Sequence, residues 1–249
     1  QELGFAEADP TFDIEGIDAA HKITILASLA FGIPINFDAA YIEGITQLTQ
    51  KDITYAEELG YRIKLLAITK LVSDGVELRV HPTLIPEKRL VANVNGPMNA
   101  VLVKGNMVGP TLYYGAGAGA EATASAVVAD IIDITRGSTF NIPTLGFVDE
   151  YISAKKILPI EEVKSEFYLR LSMSNKAGLL AKITNIFAKN DVSIDAMVHK
   201  EISDESKDPD IFLITSKIEE RKINEIIQEI ESLPDNKEKI IKIRVEELN

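Results

Sequence analysis

The segments EFYLRLSMS (166–174), GLLAKITNIFAKN (178–190), SIDAMVHKEI (193–202), IFLITSKI (211–218), RKINEIIQEIESL (221–233) and IIKIRVEEL (240–248) follow one another through the C-terminal third of the chain. Four of them are short and strand-like, and two carry apolar residues at helical spacing. In order they spell βαββαβ, which predicts a ferredoxin-like unit of four antiparallel strands with two helices on one face. The unit is expected over residues 164–249.

Upstream, residues 149–164 mix charge with Pro159 and hold no sustained period, so they read as a linker that closes a first domain at residue 163. Within that domain, AEATASAVVADIIDIT (120–135) reads as a helix and RGSTFNIPTLG (136–146) as loop. RIKLLAITKLV (62–72), VELRVHPTLI (76–85), LVANVNG (90–96), MNAVLVKG (98–105) and GPTLYY (109–114) read as strands. Asp74-Gly75 and Asn95-Gly96 are hairpin turn signals. A helical region broken near TQLTQKD (46–52) is expected from about Phe37 to Leu59. An earlier helix should run from about Ile14 to Phe31, capped by Asp13 and stopped by Gly32 and Pro34. The fold class is therefore α+β, a mixed or antiparallel sheet covered by helices and followed by the βαββαβ unit.

A length of 249 residues suits two domains. The 38 acidic against 26 basic residues give a net charge of -12, which repels nucleic acid and anionic lipid. No run of about 20 apolar residues is present and no basic leader precedes an apolar core, so a cytoplasmic location and no membrane partner are expected. The chain has no cysteine, which excludes disulfides, thiolate metal sites and thiol nucleophiles within it. His21, His81 and His199 are scattered without metal-ligand spacing, and no G-x-S-x-G element supports a serine hydrolase. No metal site is expected.

The first 32 residues hold the densest chemistry. Glu7, Asp9 and Asp13 form an acidic loop, and Asp18 and Lys22 follow four residues apart, one turn above each other on a helix. Taken alone, that pair is most simply an i, i+4 surface ion pair, and the loop a solvated turn with a helix cap. On that helix a proton donor and a carboxylate can meet one small substrate.

The stretch GFAEADPTFDIEGIDAAHKITILASLAFG (4–32) resembles the substrate-binding and catalytic segment of homoserine dehydrogenases, in which an E-x-D-P loop leads to a D-x-x-x-K helix. VNGPMNAVLVKGNMVGPTLYYGAGAGAEATASAVVADI (94–131) is similar to a later part of the same enzymes, and the βαββαβ unit resembles an ACT domain. The resemblance implies Lys22 as catalytic acid/base, Asp18 as its substrate-contacting neighbour, and Glu7 and Asp13 as substrate ligands. It also implies an NAD or NADP cofactor, with Gly4, Gly115, Gly117 and Gly119 near the nicotinamide end. Residues of about 115–140 would return toward a nucleotide-binding domain that the chain lacks, so the chain is expected to be a piece of a longer one and inactive alone.

YYGAGAGA (113–120) also satisfies a degenerate G-x-G-x-x-A pattern. No second strand ending in an acidic residue follows at the required spacing, so a dinucleotide fingerprint is not supported there. In the ACT-like unit the turn Asn175, Lys176, Ala177, Gly178, with Leu179 opening the helix, is where family members bind amino acids; the resemblance suggests threonine. A plain capping turn in a dimerising unit is the alternative. Exposed strand edges favour a homodimer or homotetramer. The expected function is the interconversion of L-homoserine and L-aspartate 4-semialdehyde in threonine, methionine and isoleucine biosynthesis. A non-catalytic amino-acid sensor is the rival, and a semialdehyde dehydrogenase with a cysteine nucleophile outside this segment is a second.

Overall fold

A computed structural model of the chain describes residues 9–137, 155–174, 176–200 and 210–248. The chain enters through α1 (Thr11–Ile14) and α2 (Ile17–Phe31), then β1 (Tyr41–Ile42) and α3 (Gln50–Glu58). A long hairpin follows, β2 (Tyr61–Val72) and β3 (Gly75–Pro86), and then a separate hairpin of β4 (Met98–Gly105) and β5 (Gly109–Ala116) leading into α4 (Ala120–Arg136). The C-terminal part holds β6 (Lys164–Ser172), α5 (Leu179–Lys189), β7 (Ile194–Lys200), β8 (Asp210–Thr215), β9 (Ile218–Glu219), α6 (Glu220–Glu231) and β10 (Ile241–Val245).

The order β10-β6-β8-β7 is the ferredoxin-like arrangement of the βαββαβ pattern. Its fourth strand does not end the sheet. Along one edge β3 is paired antiparallel with β2 from Val72↔Gly75 to Tyr61↔Pro86. On its other edge it takes three partners in turn: Ile157 at Val76, β1 at Arg79 and Val80, and β10 at Thr83 and Leu84, all parallel. One mixed sheet thus runs from the N-terminal part into the C-terminal unit. Pro82, which can donate no ladder hydrogen bond, falls in the gap between the β1 and β10 registers.

Alternation along the strands fixes the layers. Phe167, Leu169 and Leu171 of β6, with Ile211 and Leu213 of β8, pack with Ile183, Phe187, Ile223, Ile226 and Ile230 of α5 and α6. Tyr168, Phe212, Ile243 and Val245 point to the other face, where Ala56 of α3 and Leu84 of β3 complete a core. The second face of the ferredoxin-like sheet is therefore covered by a helix from the first half of the chain. Val76, Leu78 and Val80 of β3 pack on Ala20, Ile23 and Ala27 of α2.

Local readings differ from the sequence expectation in five places. The first helix is split, because Gly16 adopts φ +79 where a Cβ would come within 2.8 Å of Val80. Asp13 therefore sits inside α1 rather than capping α2. The N-cap of α1 is Pro10, with no side-chain cap, and Asp9 before it accepts from Thr11 N and Oγ1 at 3.1 and 2.5 Å. Of the helical region expected from Phe37 onward, only Gln50–Glu58 is α-helix, started by a Thr49/Asp52 capping box. LVANVNG forms a 3₁₀ turn at Leu90–Asn93 instead of a strand. Asn95-Gly96 leads into β4, and the β4–β5 hairpin turns instead at Gly105↔Gly109, with Gly109 at φ +76. Residues 155–163 are tied to β3 through Val76 N to Lys156 O and Leu158 N to Val76 O, both 2.9 Å, with Leu158 and Val163 buried.

Candidate active site on helix α2

Helix α2 buries Ala20, Ile23, Thr24, Ala27 and Ser28. The opposite face carries Asp18 and Lys22, with Lys22 Nζ 2.5 Å from Asp18 Oδ2 and both side chains largely open to solvent. Ile25 and Leu29 continue the same helical face and are 48% and 42% exposed. An ammonium held by one carboxylate thus borders an uncovered apolar strip. Beside it His21 stacks on Phe37 at 4.2 Å between ring centroids, and the Phe12 ring lies near parallel to it at 6.4 Å.

The start of α2 is set by its neighbours. Gly16 rests on Val80 of β3, and Ile45 N donates to Ile14 O at 2.9 Å. Gly44 lies against Ile14 and Glu15 so closely that a Cβ there would come within 2.8 Å of both backbones. Asp13 is exposed on α1, before this elbow. Glu7 and Gly4 lie outside the described residues.

Gly115 is the penultimate residue of β5, Gly117 follows the strand, and Gly119 at φ +112 caps α4. A Cβ would have open space at Gly115, whereas at Gly117 it would collide with the Asn99 amide. Helix α4 buries no residue, and its Val127, Ile131 and Ile134 are exposed, as are Val101, Val103, Tyr113 and Tyr114 of the hairpin. So large an uncovered apolar surface marks a contact region.

In the C-terminal unit Gly178 caps α5 at φ +84 with open space around it. Ala177 is exposed beside it, while the Leu179 side chain is buried in the core and its amide donates to Lys176 O at 3.2 Å. Asn175 lies outside the described residues. Lys176 and Lys182 reach Asp235 at 2.6 and 3.1 Å and hold its carboxyl below the usual carboxylate range. Among the described residues no group of histidine, aspartate and glutamate is placed to hold a metal ion, and no helix is long and apolar enough to cross a membrane.

A buried charged cluster where the two halves join carries no local sequence signal. Arg79 of β3, 1% exposed, bonds Glu77 at 2.9 Å, Glu246 at 2.6 Å and His81 Nε2 at 2.6 Å. Lys70 also reaches Glu246 at 2.8 Å. Burial, together with the charges of Arg244 and Arg79, holds the His81 imidazole well below its usual range. Since Arg79 donates to Nε2, His81 carries its proton on Nδ1, aimed at Pro82 O 3.0 Å away.

The homoserine dehydrogenase family matches residues 1–132 and the ACT domain family residues 167–235. The chain is 51% identical to the homoserine dehydrogenase of Pseudomonas aeruginosa and 53% identical to that of Neisseria gonorrhoeae, in each case over all of this chain and 58% of the relative. A crystal structure of a homoserine dehydrogenase from Thiobacillus denitrificans superposes with a TM-score of 0.93 at 56% identity, covering 100% of this chain and 57% of that one. The S. aureus enzyme superposes at 0.73 with 28% identity, covering 98% of this chain and 57% of that one. The chain thus spans under three fifths of the length of these relatives. On these matches it belongs to the homoserine dehydrogenase family and carries an ACT domain in its C-terminal part.

Proposed function

We propose that the protein carrying this chain interconverts L-homoserine and L-aspartate 4-semialdehyde, with Lys22 as the acid/base and Asp18 as its partner. The observation that carries this reading is the Asp18–Lys22 pair, 2.5 Å apart on the open face of α2 and inside the family-matched segment. The nicotinamide cofactor, NAD or NADP, supplies or accepts the hydride when bound. In the reductive direction negative charge grows on the aldehyde oxygen, and the Lys22 ammonium can meet it with a hydrogen bond and then a proton. In the oxidative direction the hydroxyl proton leaves to Lys22 in its neutral form. Asp18, Asp13 and Glu7 are suited to the substrate ammonium, which carboxylates bind through charge-assisted hydrogen bonds.

The open space at Gly115 and the exposed Gly119 at the start of α4 suit the close approach of a flat ring or a phosphate, whereas Gly117 is taken up by Asn99. Helix α4 and the β4–β5 hairpin, apolar and uncovered, are surfaces for the nucleotide-binding part and for subunit association into a homodimer or homotetramer. The turn at Lys176, Ala177 and Gly178 is the place for an amino-acid effector, with threonine the first to test.

The test is homoserine-dependent reduction of NAD and NADP by the full-length gene product, with the 249-residue chain alone beside it. Activity in the first and none in the second supports the reading. An inactive full-length product that still binds an amino acid would favour the sensor instead.

A further inference from the structure

We propose that Arg244 and Glu43 are positioning residues for the Asp18–Lys22 pair, through an ion pair by which the C-terminal unit holds the α1–α2 elbow. The inference rests on the reading of Lys22 given above. Arg244 lies on β10 and is fully buried. Its Nη1 donates to Glu43 Oε2 at 2.7 Å, and its Nη2 to Tyr41 Oη at 3.1 Å. Tyr41 donates in turn to Glu43 Oε2 at 2.6 Å. The other side of the guanidinium is held by Glu220 of α6, through Nε to Oε2 at 2.7 Å and a second bond from Nη2 to Oε1. Lys242 completes the cluster, 2.7 Å from Glu220.

Glu43 is fixed at both ends. Its N–H donates to Val80 O at 2.8 Å, and its carboxylate is held by Arg244 and Tyr41. The next residue, Gly44, has no room for a side chain against Ile14 and Glu15, and Ile45 N is bonded to Ile14 O. Glu15 is followed directly by Gly16, the N-cap of α2, and Asp18 is the second residue of that helix. A shift of Glu43 therefore passes through two short stretches of main chain to the turn that aims Asp18 and Lys22. Among the described residues the one polar contact of those two side chains is with each other, so the elbow sets where they stand. A group displaced by even about 1 Å from its reacting partner loses up to about 10²-fold in rate.

The charge arithmetic identifies the informative variant. Glu43→Gln keeps the size and an acceptor oxygen, and it leaves the buried Arg244 still paired with Glu220, so the fold is expected to survive. The experiment uses the full-length gene product and two readouts. In steady-state kinetics Glu43→Gln and Arg244→Lys are expected to lower kcat for homoserine oxidation about 10- to 100-fold, with the KM for the nicotinamide cofactor unchanged. In spectra of the ¹³C-methylated protein the Lys22 resonance, identified by its loss in Lys22→Arg, is expected to move in both variants. A merely structural role would lower Tm without either change in the folded protein.

Folded variants with wild-type kcat and an unmoved Lys22 resonance would overturn the proposal. A moved resonance in a protein without homoserine-dependent activity would uphold the positioning and overturn only the assigned reaction. Should Glu43→Gln fail to fold, Tyr41→Phe removes one of the two groups bonded to the Glu43 carboxylate and decides between the same outcomes.

Discussion

The carboxylate of Asp52 serves two structures at once: it closes the capping box of α3 with Thr49 and is the buried counter-ion of Arg170 on β6, at 2.6 Å from Nε. Burial alone would raise its pKa, but Arg170 and Thr49 outweigh that and hold it below the usual carboxylate range. Removing one partner leaves an uncompensated buried charge, which costs about 3–5 kcal/mol. Arg170→Met and Asp52→Ala should each lower stability by about that amount in urea unfolding. The double variant Asp52→Leu with Arg170→Met should recover most of the loss, because buried ion pairs and well-packed apolar replacements are often nearly equal.

His81 predicts a pH dependence with a definite sign. Its folded pKa is held well below the model-peptide value near 6.5 by burial, Arg244 and Arg79. The unfolded chain therefore binds a proton at a pH where the folded one does not, and stability falls as pH drops below about 6.5. The groups around the imidazole are Arg79, Lys70, Arg244, Thr83 and the Pro82 carbonyl. Unfolding midpoints measured from pH 7.5 to 5 should decline, and His81→Gln should flatten that part of the slope while lowering stability throughout. An unchanged slope in the variant would assign the dependence to other groups.

Two glycines with the same φ separate conformation from contact. Gly16 and Gly60 both have φ +79, but a Cβ meets Val80 at the first and open space at the second. Gly60→Ala should cost about 1 kcal/mol, the expense of a left-handed alanine. Gly16→Ala should cost about 1–3 kcal/mol more, as overpacking does, and should also lower activity because it tilts the helix bearing Lys22. Equal losses in the two variants would show that the Val80 contact is soft.

Much of the fold was legible because its elements obey local rules. The alternation in Phe167 to Leu171 and the apolar spacing in α5 and α6 specify a ferredoxin-like unit without reference to anything distant. The Asp18–Lys22 pair was legible for the same reason, since an i, i+4 spacing needs only a helix to bring charges together. What sequence could not show is the joining of the two halves. VELRVHPT reads as a strand with one apolar and one polar side, and nothing local reveals that Glu77, Arg79, His81 and Thr83 are buried beneath Glu246 and Lys70. The split at Gly16 is equally hidden: its cause is Val80, 64 residues away, and a glycine inside a helical pattern carries no such address.

The role of Lys22 is the central claim, and the most direct test is the homoserine-dependent reduction of NAD and NADP by the full-length gene product and its Lys22→Ala variant. Because the pair with Asp18 is exposed, its loss should change stability by less than about 1 kcal/mol. Removing a general acid/base should lower kcat by about 10²–10⁴-fold. A folded Lys22→Ala protein with kcat within a few-fold of wild type would contradict the account and place the proton transfer elsewhere.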